Sequence, residues 1–135
     1  MQMIKYIPRE EAIDLINESV RIGVTPDWRH LHLVTKIPFI SPLFFKIFHN
    51  MLNTMFDEKT GFEFKEIEYN NKKYRVDVLK YPYVKYCELL GCKELTSTFC
   101  LSDGYVYGNM CDIAFERKGT IGRGNDRCEF YFHKN

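Results

Sequence analysis

Phe62-Glu63-Phe64-Lys65-Glu66-Ile67-Glu68-Tyr69-Asn70-Asn71-Lys72-Lys73-Tyr74-Arg75-Val76-Asp77-Val78-Leu79 reads as two strands and the turn between them. In the second run Tyr74, Val76 and Val78 alternate with charged residues and share one face, the period-two pattern of a strand buried on one side. Asn70-Asn71 is a pair that tolerates the positive φ of a tight hairpin. In the first run the apolar parity shifts from Phe62 and Phe64 to Ile67 and Tyr69, which implies a β-bulge or a strand covered on both faces.

Helices are expected on either side of this hairpin. Upstream, Ser41 is placed to cap and Pro42 to open a helix whose Phe44, Ile47, Phe48, Met51, Leu52, Met55 and Phe56 make a broad apolar face ending near Asp57. Before it, Pro8 precedes a helix over residues 9–22, with Glu10 and Glu11 in its first turn and Gly23 as its stop. Residues 23–40 carry Pro26, Pro38 and the lone Trp28 without periodicity and read as a connection, Trp28 anchoring packing. Downstream, Pro82 starts a short helix through Leu90 that Gly91 ends, and Lys93 to Met110 reads as one or two helical turns. Asp112 to Lys118 and Asp126 to His133 form a second hairpin around Gly122-Arg123-Gly124-Asn125.

The order ααββααββ specifies an α+β fold: a mostly antiparallel four-stranded sheet made from two hairpins, with helices packed chiefly on one face. A single domain over residues 1–135 is expected from the length, and 45% hydrophobic content suffices for a core. Nineteen basic residues against eighteen acidic ones leave a net charge of +1 with no basic stripe, which disfavours nucleic acid as a partner. The window from Ile37 to Phe56 is about as long as a membrane span, but Pro38, Pro42, Lys46, His49, Asn50 and Asn53 interrupt it, so no span is expected. Its apolar face is a core face in the first instance, and the 41–57 helix is also the surface through which a homo-oligomer would form. The N-terminus lacks the apolar run of a secretory signal, so a cytoplasmic location is expected.

Five cysteines, Cys87, Cys92, Cys100, Cys111 and Cys128, form no Cys-x-x-Cys pair, which argues against a zinc ribbon or a complete disulfide set, and no metal site or cofactor is implied. Cys100 and Asp103 are three residues apart, so on a helix they share a face. A carboxylate beside a thiol disfavours the thiolate unless a cation offsets it, and Arg117 is the available cation. Strand alternation points Ile113, Phe115 and Arg117 to one face, where an arginine among aromatics needs an anionic partner: Asp103, in a bridge tying the helical section to the sheet, or a substrate carboxylate. Cys128 alternates with Phe130 and Phe132 on an apolar face, and His133 falls on the other, poorly placed to activate it; His30, His32 and His49 stay open as partners. Tyr105 and Tyr107 serve either a pocket or the packing. Gly122-x-Gly124 opens no helix after a strand, and its glycines read as turn residues.

Five ordered motifs carry a resemblance: Tyr81-Pro82-Tyr83; Leu90-Gly91-Cys92-Lys93-Glu94-Leu95; Phe99-Cys100-Leu101-Ser102-Asp103; Phe115-Glu116-Arg117-Lys118-Gly119-Thr120-Ile121-Gly122-Arg123-Gly124; and Cys128-Glu129-Phe130. Together they resemble the L-2-amino-thiazoline-4-carboxylic acid hydrolase family over roughly residues 37–132, with a chain short at its N-terminal helical region. Tyr81, where the pattern has cysteine, and Glu129, where aspartate is commoner, depart from it. The resemblance implies hydrolytic opening of a thiazoline ring to N-carbamoyl-cysteine, and Cys100, Asp103, Arg117, Gly124 and Cys128 match recurring positions. In that reading Cys100 and Asp103 are catalytic: Asp103 positions or deprotonates water, and Cys100 shapes the site or attacks. Arg117 holds the substrate carboxylate, with Tyr105 and Cys128 also binding substrate. The substrate would be a small cyclic amidine or amide; the competing readings are a ligand-binding or sensor domain that uses the same pocket without turnover, and a partner-dependent fragment with an exposed apolar patch along the 41–57 helix.

Overall fold

The computed structural model describes residues 6–27, 29–55 and 58–135. Helices α1 (Arg9–Asp27), α2 (Arg29–Val34) and α3 (Ser41–Met55) precede strands β1 (Glu63–Tyr69) and β2 (Lys73–Lys80). Helices α4 (Pro82–Leu89) and α5 (Thr96–Tyr107) then lead to β3 (Ile113–Glu116) and β4 (Cys128–Lys134). The fold is α+β, with one four-stranded antiparallel sheet in the order β1-β2-β4-β3, so the two hairpins join through β2 and β4.

The β2–β4 register sets the inner face. Tyr74 pairs with Phe132, Val76 with Phe130 and Val78 with Cys128, which puts all six on the side that α3 and α5 cover. Phe45, Phe48 and Leu52 of α3 bury against Tyr74, Val76 and Phe132. The ring centroids of Phe48 and Phe132 lie 4.9 Å apart and those of Tyr107 and Phe132 5.2 Å apart, so α3, α5 and β4 meet at one aromatic centre. Helix α1 packs outside α5, where the Thr98 hydroxyl donates to Asn17 Oδ1 at 2.6 Å. The outer face of the sheet carries Arg75, Asp77, Glu129 and Tyr131 in register, with Arg75 and Arg127 paired to Glu129 and Asp77.

The parity shift in β1 is a bulge: Glu66 pairs with Val76 and Glu68 with Arg75, leaving Ile67 as the extra residue. The turn differs from the positive-φ expectation. Among the described residues Phe39 is the one non-glycine with positive φ, and the hairpin instead uses the Asn70 side chain, whose Oδ1 accepts from the Lys72 and Lys73 N–H groups at 2.8 and 2.9 Å. Such an Asx turn reverses the chain without a left-handed residue.

Three helical expectations need correction. Helix α1 runs through Gly23 to Asp27, because a glycine in a helix costs only about 1 kcal/mol and keeps its hydrogen bond. The expected connection over residues 23–40 contains α2, whose few residues show too little periodicity to read from spacing. The expected short turns over residues 93–110 form a 3-10 turn and the twelve-residue α5. Ser41 begins α3, yet its buried hydroxyl makes no capping bond. Gly91, at φ 70°, follows α4 as expected. Trp28, Phe56 and Asp57 lie outside the described residues. No described helix is long and apolar enough to cross a membrane.

Candidate active site

A cavity of about 270 Å³ lies between α3, the inner face of the sheet and α5. Phe48, Met51 and Leu52 of α3 and Phe64, Val76, Val78 and Phe130 of the sheet form its apolar walls, with Phe62, Tyr81 and Tyr83 alongside. Cys100, Asp103 and Tyr107 enter it from α5 and Cys128 from β4. The three α5 residues are spaced i, i+3 and i+7, which is one face of a helix. Tyr105 is two residues from Asp103 and therefore on a different face; it does not line the cavity and lies within electrostatic reach of Arg21 on α1. Tyr107 takes the place expected for it.

Arg117 follows β3 on the face of Ile113 and Phe115, as alternation requires. Its Nη2 donates to Asp103 Oδ2 at 2.9 Å and its Nη1 to the Cys100 carbonyl oxygen at 2.8 Å. The guanidinium carbon lies 4.7 Å from the Phe130 ring centroid and 5.1 Å from that of Phe115, and the side chain is only 13% exposed. Arg117 thus bridges α5 to the sheet from behind the Phe130 wall, and it is not among the cavity-lining residues.

The 3-10 turn Ile121–Arg123 serves both thiols. The Ile121 N–H donates to Cys128 Sγ at 3.2 Å, and the Gly122 N–H is directed at Cys100. Gly122 reads from sequence as a turn residue, but its reason is close approach: a Cβ there would sit 2.8 Å from Cys100 Sγ and 3.0 Å from the Thr96 carbonyl oxygen. Gly124, at φ 93°, is the turn glycine.

These contacts order the protonation of the site. The Cys128 thiol donating to Cys100 holds the Cys100 sulfur well below the ordinary thiol range, helped by Thr120, the Gly122 N–H and the Arg117 charge and opposed by burial. Cys128, as the donor, is pushed up, first by that hydrogen bond and then by burial. Burial raises the Asp103 carboxyl to about 6, with Arg117 pulling it down and Cys100 pushing it up. Burial, with Asp103 nearby, also raises the Tyr81 and Tyr107 phenols, so both stay protonated. The site therefore offers a thiolate, a carboxylate and two neutral phenols around one space.

No histidine lines the cavity among the described residues. His32 Nε2 is 2.7 Å from the Val106 carbonyl oxygen, His49 pairs with Glu66 and stacks on Tyr69, and His133 pairs with Glu116. The groups that lower the Cys100 thiol are instead Cys128, Thr120, the Gly122 N–H and the Arg117 charge. Tyr81 and Gly122 are the site residues that spacing did not single out; no local pattern marks Gly122, whose constraint is the approach to Cys100 and Thr96.

A family model described as L-2-amino-thiazoline-4-carboxylic acid hydrolase matches residues 1–132, extending well before residue 37, where the resemblance read from the sequence begins. No curated protein and no solved structure matches the chain.

Proposed function

Because the chain belongs to the L-2-amino-thiazoline-4-carboxylic acid hydrolase family, we propose that it hydrolyses the ring of a small cyclic amidine, as in conversion of L-2-amino-thiazoline-4-carboxylate to N-carbamoyl-cysteine. The observation that carries this reading is the convergence of Cys100, Cys128 and Asp103 on one cavity.

The amidinium group of the substrate donates N–H to the Asp103 carboxylate, which orients the ring and keeps its central carbon electrophilic. The Cys100 thiolate attacks the carbon between ring sulfur and nitrogen. The tetrahedral adduct collapses with cleavage of the ring carbon–sulfur bond, and the departing sulfur takes the amidinium proton through Asp103. The substrate is now linked to Cys100 as an isothiourea. Water then adds to the same carbon, giving one proton to Asp103; the second moves to nitrogen as the carbonyl forms and Cys100 leaves as thiolate. Net, one water is consumed and one thiol and one urea group appear. Cys128 donates its hydrogen bond to Cys100 in the resting state and in the leaving step. Arg117 is a positioning residue that holds Asp103 and the Cys100 carbonyl.

The test is ring opening by the purified protein of 2-amino-thiazolines, beginning with L-2-amino-thiazoline-4-carboxylate, read as a released thiol and a mass gain of one water. Turnover by wild type that is lost in Asp103→Asn and Cys100→Ser supports the reading. Folded wild type that opens no such ring removes it. The largely apolar lining favours one alternative, a binding domain that holds the amidine without turnover; it predicts saturable binding unchanged in Cys100→Ser and no product. Exposed Leu43 and Ile47 on α3 support self-association through that helix.

A further inference from the structure

The polar groups of the cavity occupy one side of it, and the remainder is hydrocarbon and aromatic ring: Phe48, Met51, Leu52, Phe64 and Val76. Among the described residues that line it, none is lysine, arginine or histidine. The nearest cation, Arg117, has Nη1 on the Cys100 carbonyl and Nη2 on Asp103, with Phe130 standing beneath its guanidinium. Tyr81 and Tyr107 can donate hydrogen bonds but bring no positive charge, and both feel the Asp103 carboxylate. A second carboxylate entering this space would be desolvated beside an existing negative group, and Arg117, the nearest cation, does not line the cavity and already pairs with Asp103.

The volume agrees with the charge. At about 270 Å³ the cavity approaches the ~300 Å³ at which pockets enclose a whole small ligand. A bare five-membered amidine ring held at Cys100 and Asp103 fills only part of this volume, and the rest of the lining is largely apolar, which an apolar substituent covers best.

We infer that the ligand selected by this cavity is a cationic cyclic amidine whose ring carries an apolar substituent, alkyl or aryl, in place of a carboxylate. Asp103 meets the cation, and the apolar group lies against α3 and the inner face of β2. This deepens the hydrolase reading and rests on it for the word substrate; recognition itself requires only the cavity.

Two probes decide it with the full chain: L-2-amino-thiazoline-4-carboxylate and 2-amino-4-benzyl-thiazoline. Wild type is assayed for ring opening of each, and Cys100→Ser is titrated with each by calorimetry, so that binding is read without turnover. The expected result is at least a tenfold preference for the benzyl compound in kcat/KM and in Kd, with the binding preference reduced in Asp103→Asn. Equal affinity, preference for the carboxylate compound, or no binding of either overturns the inference. Ring opening of the carboxylate compound alone also overturns it while the hydrolase reading stands. Tight binding of the benzyl compound with no ring opening of either upholds the ligand class and removes the hydrolase reading.

Discussion

Gly122 lies directly under Cys100: a Cβ on it would come within 2.8 Å of the Cys100 sulfur and 3.1 Å of the Ser97 Cα. Backbone on one side and a thiol held by Cys128 on the other leave little room to yield. Gly122→Ala is therefore expected to push the 3-10 turn off α5, with a destabilisation of about 1–3 kcal/mol from overpacking. Denaturant midpoints measure it. The same substitution pulls the Gly122 N–H away from Cys100, so thiol reactivity near neutral pH should fall as well; an unchanged midpoint and unchanged reactivity would show that the approach is looser than described.

Arg117 spans the helix and the sheet with two charged hydrogen bonds and two ring contacts. Arg117→Met keeps the stem over Phe130 but leaves Asp103 without its cation. Because the Asp103 side chain is 31% exposed, the expected loss is about 2–3 kcal/mol, below the upper range for a fully buried pair. The Asp103 carboxyl should also titrate higher than its wild-type value of about 6, since Arg117 is what lowers it. Carbon-detected NMR of the carboxyl reads this directly, and a titration unmoved in Arg117→Met would mean the guanidinium does not govern Asp103.

The Cys100 sulfur depends on Cys128 as a donor. Cys128→Ala removes the thiol and should return Cys100 toward the ordinary thiol range, slowing alkylation of Cys100 near neutral pH by tenfold or more. Cys128→Ser retains a donor and should keep most of the reactivity. Equal rates in wild type and Cys128→Ala would assign the activation to the Gly122 N–H and Arg117 alone. In wild type, ring-opening kcat/KM should decline as pH falls through about 6, where both Cys100 and Asp103 take up protons.

Faces were legible in the sequence; distances between elements were not. Period-two alternation put Arg117 with Phe115 and Cys128 with Phe130, and helical spacing put Cys100 with Asp103, and all six side chains do point inward. The same arithmetic, applied to Tyr105, distinguishes it from Tyr107 only once Asp103 is known to face the cavity. That Cys100 and Cys128 touch depends on how α5 docks on β4, which no local pattern encodes. Gly122 looked like any loop glycine because its constraint is a neighbour 22 positions away, and Arg117 stood between a bridge to Asp103 and a substrate carboxylate because sequence cannot tell which anion a guanidinium meets; the bridge is what forms. The hairpin turn was misread for a related reason: Asn70 serves through its side chain, not its φ. Gly23, where a helix end was expected, lies inside α1 because a single glycine is a weak stop when the helix has α5 to pack against.

The last expectation concerns pH and stability. Asp103 has an ordinary carboxyl value of 3.8 and a folded value of about 6, so between those limits the folded chain binds more protons than the unfolded one. Stability from this group is then fully present below about 3.8 and is lost as pH rises through about 6. The gap converts to at most about 3 kcal/mol, and partial exposure of Asp103 makes the measured change smaller. Asp103→Asn has no such proton to lose. The variant should therefore be less stable than wild type at pH 4, where a protonated carboxyl fits the site best, and should gain on wild type steadily up to pH 7. Unfolding free energies measured at half-unit pH steps for both chains give the difference curve. A flat difference between pH 4 and 7 would mean that the Arg117 bridge offsets burial completely; Asp103 would then be ionised throughout, and the decline of kcat/KM near pH 6 would belong to Cys100 alone.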